Sequence, residues 1–440
     1  MSALLRKIRI DAAVAMTVMQ RVWGVAAGLV MVLLTSTLFS KEMQGYYYTF
    51  SSLIALQAFF ELGLNFVLAQ FVSHDTVLLD ENNDAEVRQA AIDRIGLLYN
   101  RVRRWFAVTS MLFAVAVGSG GFLFLRRGGT GLPLNEWLGA WLLIVVAAAV
   151  NLYYSPQIAI AEGTGKVARV AKLRTLQSVG GYLTCWVIIA IHPTLYAMAC
   201  IGWVMALTSG WWLHHHSGVP KIARDVSPGA VGYGWRKDIF PLQWRIGLSW
   251  MSGYLLYQAF TPFTFAHRGP AEAAMIGLSL AMFSNISLIG MSWLSATTPV
   301  LAGLVARGER ETLRRRFKTL FVQSLAFQIA ACTGLCIVVA LGRYFEIRIM
   351  DRFLPTADLT VIAVISSCNV AVFAMATFMR VHKEEPMLWN SLVCGVLVTG
   401  ITYLASFYGA IYVLMGYLTV IVLLCVPWTV ILFRRYWYMR

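Results

Sequence analysis

Charged residues are scarce in this sequence: Asp, Glu, Lys and Arg together make up 13% of its 440 residues. A water-soluble domain carries about 25%, and a soluble fold with half that amount could not cover its surface. Acids are the scarcer sign, 21 against 36 Lys and Arg. The seven cysteines (Cys185, Cys200, Cys332, Cys336, Cys368, Cys394, Cys425) all fall inside apolar runs, so no disulfide framework is implied. Cys332 and Cys336 share a helix face but have no His or further Cys nearby to complete a metal site. The glycine run Gly118-Ser119-Gly120-Gly121 lacks the strand–helix context of a phosphate loop. ATP hydrolysis is therefore not expected, and no cofactor or metal is implied.

What is present is apolar. Hydrophobic residues make up 59% of the chain, with a mean hydropathy of +0.67, and lipid is the solvent that such a composition requires. Apolar runs of about 20 residues are the unit to count. They fall at 14–39, 47–72, 105–125, 138–161, 175–191, 195–213, 242–266, 275–300, 318–341, 357–379, 387–406 and 411–433. The expected fold is an all-α polytopic membrane protein of twelve transmembrane helices. The first run, preceded by Arg6, Lys7 and Arg9, is too long for a cleaved signal segment. It is read as an uncleaved span.

A net charge of +15 invites a nucleic-acid reading, but the positions of the basic residues oppose it. Nearly all of them occupy short connectors between apolar runs. With the N-terminus inside, 27 Lys and Arg lie in inner segments, 7 in outer loops, and Arg21 and Arg245 within spans. That asymmetry predicts both ends in the cytoplasm. The run His214-His215-His216 reads as an interfacial polar segment, since adjacent helical residues diverge and cannot converge on a metal.

The segment 214–241, rich in Pro and Gly, reads as a cytoplasmic linker between six-helix bundles at 1–213 and 242–440. A weak internal repeat supports this division. Span one opens with Gln20-Arg21-Val22-Trp23-Gly24 and span seven with Gln243-Trp244-Arg245-Ile246-Gly247. Halves of six spans each enter from the same side, which implies parallel repeats about the membrane normal.

Ionisable residues within spans cost about 2.5–3.5 kcal/mol on insertion scales and commonly face a cavity. Glu61 lies some ten residues, roughly 15 Å of helix, from the inner end of span two. Gln57 and Asn65 stand four residues to either side, which places all three on one face of a continuous helix. This trio is the candidate ion-coupling group. Arg21 and Arg245, with Gln20 and Gln243, are the candidate substrate-binding group, because planar guanidinium ions bind phosphate oxygens in pairs. Near a helix end an arginine also snorkels to the headgroups, and packing alone explains a buried acid paired with arginine. Asn151, Asn285, Asn369 and Asn390 read as interhelical hydrogen-bonding groups.

The stretch Trp235–Tyr254, WRKDIFPLQWRIGLSWMSGY, together with FFELGLNFVLAQF in span two, resembles polysaccharide and O-antigen flippases of the multidrug/oligosaccharidyl-lipid/polysaccharide exporter superfamily. The resemblance in helix count covers the whole chain, and that in motifs covers spans one, two and seven. It implies two six-helix bundles around a central cavity. It also implies transfer of an isoprenoid-pyrophosphate-linked oligosaccharide between leaflets of a bacterial inner membrane. The implied partners are that substrate, membrane lipids, polysaccharide-assembly proteins and a coupling H+ or Na+ ion, with no nucleic acid. Arg21 and Arg245 would meet the pyrophosphate, and Glu61 would couple the ion. Span eight has no deep acid to match Glu61. Two alternatives stay open: a multidrug or small-molecule cation antiporter on the same fold, and a membrane-embedded glycosyltransferase or polymerase using Glu346 and Asp351 of the longest outer loop.

Overall fold

The structure, a computed structural model, describes residues 23–81, 85–128, 131–382 and 386–439. All regular secondary structure among them is helical. Helix α1 spans Trp23–Leu38. The second apolar run is divided into α2 (Lys41–Ile54), α3 (Gln57–Glu61) and α4 (Leu64–Glu81). Then follow α5 (Ala85–Gly128), α6 (Leu134–Ala161), α7 (Val167–Ile191), α8 (Tyr196–His215) and the short α9 (Val219–Ile222). The seventh apolar run forms α10 (Phe240–Tyr257) and α11 (Phe260–Arg268). The remaining helices are α12 (Pro270–Ala306), α13 (Arg310–Tyr344), α14 (Thr356–Arg380), α15 (Leu388–Ala405), α16 (Ala410–Val420) and α17 (Val426–Met439).

Among the described residues, eight helices are long and apolar enough to cross a membrane, or nine when one bent pair is taken as a span. One of the eight, Leu134–Ile191, comprises α6 and α7 across a break. There Thr164 is non-helical and Gly165 has φ +78°, a conformation open to glycine. The solvent for these helices is visible on α5. Trp105, Val108, Met111, Leu112 and Val115 form one helical stripe and are 58–70% exposed. Such a stripe is stable only against hydrocarbon.

The chain forms two compact units. Unit 1 comprises Met1–Ala27, Leu53–Arg126 and Leu132–Met251, and unit 2 comprises Gly28–Ser52, Arg127–Gly131 and Ser252–Arg440. Helices α1, α2, α5 and α10 each contribute residues to both.

In unit 1 small residues and amides draw the helices together, as expected where lipid gives no hydrophobic drive. Trp141 lies against Gly121, where an added Cβ would meet its ring at 2.2 Å, and donates to the Gly118 carbonyl at 3.1 Å. Gly118 and Gly121 thus form a packing surface for α6, while Ser119 and Gly120 are exposed. Asn151 donates to the Gly202 carbonyl at 2.8 Å, and Gln177 to Ser209 at 2.9 Å. In unit 2, Asn369 donates to the Tyr417 hydroxyl at 3.0 Å and Asn390 to Thr429 at 3.2 Å. Three of the four in-span asparagines therefore bond across helices. All seven cysteines are free thiols.

Candidate functional site

The break in the second apolar run decides the geometry around Glu61. Leu62 adopts a left-handed conformation (φ 49°, ψ 35°) and Gly63 follows with φ 65°. A leucine in this region carries strain of about 1–3 kcal/mol, so the surroundings must hold it there. Helix α10 does so. A Cβ on Gly63 would meet Ile246 Cγ2 at 2.3 Å, and one on Gly247 would meet the Leu62 carbonyl at 3.0 Å. Two glycines thus let the backbones approach, and the tertiary contact outweighs the helix propensity of Phe59–Phe71.

This break corrects one expectation. Gln57 and Glu61 do share a face: Gln57 Nε2 donates to Glu61 Oε1 at 2.8 Å. Asn65, however, stands on α4, and the segments Lys41–Glu61 and Leu64–Leu79 are bent by 44°. The three polar residues do not line one continuous helical face, because the dihedrals at Leu62 and Gly63 interrupt it. The Oδ1 of Asn65 is buried without a hydrogen-bond partner.

Sequence reading missed Ser155 of α6. Its hydroxyl lies 3.4 Å from Glu61 Oε1 and 3.1 Å from the Leu152 carbonyl. That carbonyl has lost its helical donor, because residue 156 is proline and has no N–H. One hydroxyl proton cannot serve both acceptors fully. With Glu61 protonated, its own O–H can donate to Ser155 while Ser155 stays on Leu152. With Glu61 ionised, Ser155 must turn towards the carboxylate and leave Leu152 unpaired. The proline beside Ser155 was the only signal in the sequence.

Glu61 is half-buried and takes part in none of the ion pairs among the described residues. A carboxylate at membrane depth needs a compensating proton or cation.

On α10, Gln243 is 8% exposed, and its Oε1 has no hydrogen-bond partner. Arg245 is exposed, with its guanidinium 5.6 Å from the ring centre of Trp244. Both residues precede the Ile246-Gly247 contact with the break, so they sit on the helix that braces Glu61's turn. Gln20 and Arg21 lie outside the described residues.

No family model matches the sequence, and no curated protein matches it. Solved structures do. An inward-facing multidrug resistance MATE family transporter of the MOP superfamily aligns over 94% of both chains, with TM-score 0.60 and 16% identity. Lipid II flippase MurJ, in an inward closed conformation, covers 96% of this chain and 87% of its own, with TM-score 0.62 and 12% identity. An outward-facing MATE family transporter covers 96% and 95%, with TM-score 0.55 and 14% identity. The chain has the fold of MOP-superfamily transporters. At these identities the likeness is one of fold, and the residues that carry function must be argued from this chain.

In the histidine run, two of the three rings meet one tryptophan. His214 lines a cavity, whereas His215 stacks on Trp211 at 5.8 Å and His216 meets the same ring edge-on at 4.7 Å. No cluster of metal-ligating side chains occurs among the described residues. Glu162, at the end of α6, pairs with Arg174 at 2.8 Å.

Proposed function

We propose that this protein is a transporter that flips a lipid-linked, anionic oligosaccharide from the cytoplasmic to the outer leaflet of a bacterial inner membrane. Twelve spans in two six-helix halves joined by 214–241, with both ends in the cytoplasm, complete the reading. The observation that carries it is a fold shared with a lipid II flippase over 96% of the chain. The asymmetry of Lys and Arg supports the orientation.

In this reading Arg21 and Arg245, with Gln20 and Gln243, receive the pyrophosphate, and the exposure of Arg245 supports that role. Glu61 carries the coupling H+ or Na+, assisted by Gln57 and by Ser155, with Asn65 across the bend. The absence of a counter-cation within the ion-pair distances of the described residues supports it. The likeness to MATE multidrug transporters favours small-molecule cation antiport as the second reading.

The test is Glu61→Gln in reconstituted vesicles carrying a lipid-linked glycan and an imposed H+ or Na+ gradient. Gradient-driven flipping should fall to background while the variant reaches the membrane at the wild-type level. Unchanged flipping in the variant overturns the coupling role. Wild-type vesicles that export a cationic dye but flip no glycan point to the second reading.

A further inference from the structure

Unit 1 holds a second polar feature away from the break. A cavity of about 350 Å³ lies between α5, α6, the end of α8 and the connector that follows it. Arg103, Arg224, Tyr99, Tyr153, Tyr154 and Gln157 line it, and no carboxylate does. Neither arginine makes an ion pair among the described residues. Two guanidinium groups facing a space without an acid create a positive field that an anion compensates. Their planar forks match phosphate oxygens.

The rest of the wall is ordered before any ligand arrives. The Tyr99 hydroxyl donates to Gln157 Oε1 at 2.9 Å, and Gln157 Nε2 donates to the Tyr153 carbonyl at 2.9 Å. Tyr99 and Gln157 are each 3% exposed. The rings of Tyr153 and Tyr154 pack 5.1 Å apart, giving an aromatic and hydroxyl surface of the kind that suits a sugar or glycerol unit. Asn100 donates to the Ala223 carbonyl at 3.1 Å and so ties the connector over the cavity. Arg103, His214 and Arg224 are exposed, so the cationic side is the open one.

We propose that this cavity binds a phosphate ester on the face that the arginine distribution assigns to the cytoplasm. Its volume lies at the lower end for ligand pockets and excludes a whole lipid-linked oligosaccharide. The proposal rests on this lining alone and not on the flippase reading. The ester can come from a soluble sugar phosphate or from the headgroup of an anionic phospholipid in the inner leaflet.

The experiment uses the full-length protein in phosphatidylcholine nanodiscs. One arm titrates glucose 1-phosphate by calorimetry. The other replaces a fraction of the lipid by phosphatidylglycerol and follows the melting temperature. Saturable binding in the first arm assigns the soluble ester, and stabilisation in the second assigns the headgroup. In either arm, Arg103→Gln and Arg224→Gln should each weaken the effect by about tenfold or more, and the double variant should abolish it. Arg104→Gln, on a neighbouring groove and not in this cavity, should retain the first-arm binding. Should either glutamine variant fail to fold, Arg103→Lys and Arg224→Lys keep the charge and lose the fork, and weakened binding is again expected. Absence of an effect in both arms overturns the proposal, as does an effect that survives the Arg103/Arg224 variants.

Discussion

Leu62 and Gly63 illustrate at the residue scale how a contact distant in sequence overrides a local pattern. Glu61 was legible as a candidate, because a single acid in an apolar run stands out against a cost of several kcal/mol. The break beside it was not, since one glycine in such a run is ordinarily tolerated. It exists because Ile246 and Gly247 press against it. Gly63→Ala should therefore destabilise the protein by about 1–3 kcal/mol, combining a disfavoured φ with a Cβ that clashes. Thermal unfolding in detergent measures this, and a variant as stable as wild type would show that the turn is not tightly braced. Ser155 was missed for a different reason: the proline after it marks a freed carbonyl, but nothing in the sequence names Glu61 as its partner.

At the scale of elements, the connector after α8 was readable as a loop from its Pro and Gly content, but its tethering was not. Asp75, 1% exposed, pairs with Arg94 at 2.7 Å and accepts a hydrogen bond from the Tyr233 hydroxyl at 2.7 Å. Asp93 accepts from the Ser227 amide at 2.9 Å and from Gln89 at 3.0 Å. Two acids on α4 and α5 thus hold a segment more than 130 residues away, and no periodicity records such a pairing. The Ser227 amide, followed by the Gln89 side chain, holds the Asp93 carboxyl below its ordinary value against the opposing effect of burial. A depressed folded-state pKa gives stability that is fully present above the unfolded value of about 3.9. That stability is lost as pH falls through the lower folded value. Between pH 5 and 3 the melting temperature of wild type should fall more steeply than that of Asp93→Asn. Parallel curves would remove Asp93 from the tether.

For the whole molecule, the apolar runs and the fold class were legible because lipid imposes length and composition on every span. Broken spans were less so: hydropathy averages across an interruption of the helix, as it did over 47–72 and 242–266. Orientation rests on basic residues alone and invites a direct check. In a chain whose native thiols are buried or half-buried, Lys221→Cys should react with an impermeant maleimide only in inside-out vesicles. Lys41→Cys should react only in right-side-out ones, and the opposite pattern would invert the topology. Both positions are exposed.

The left-handed turn at Leu62 has a mechanical consequence. Wound into regular helix, Leu62 and Gly63 would set Asn65 one turn, about 6 Å, along the axis from Glu61 and on its face. The four-residue spacing of Gln57, Glu61 and Asn65 thus describes a straightened segment, and the bent structure describes the same residues unscrewed. A strain of about 1–3 kcal/mol corresponds to a population factor of about 5–150. The close contacts of Ile246 and Gly247 with Gly63 and Leu62 oppose that straightening.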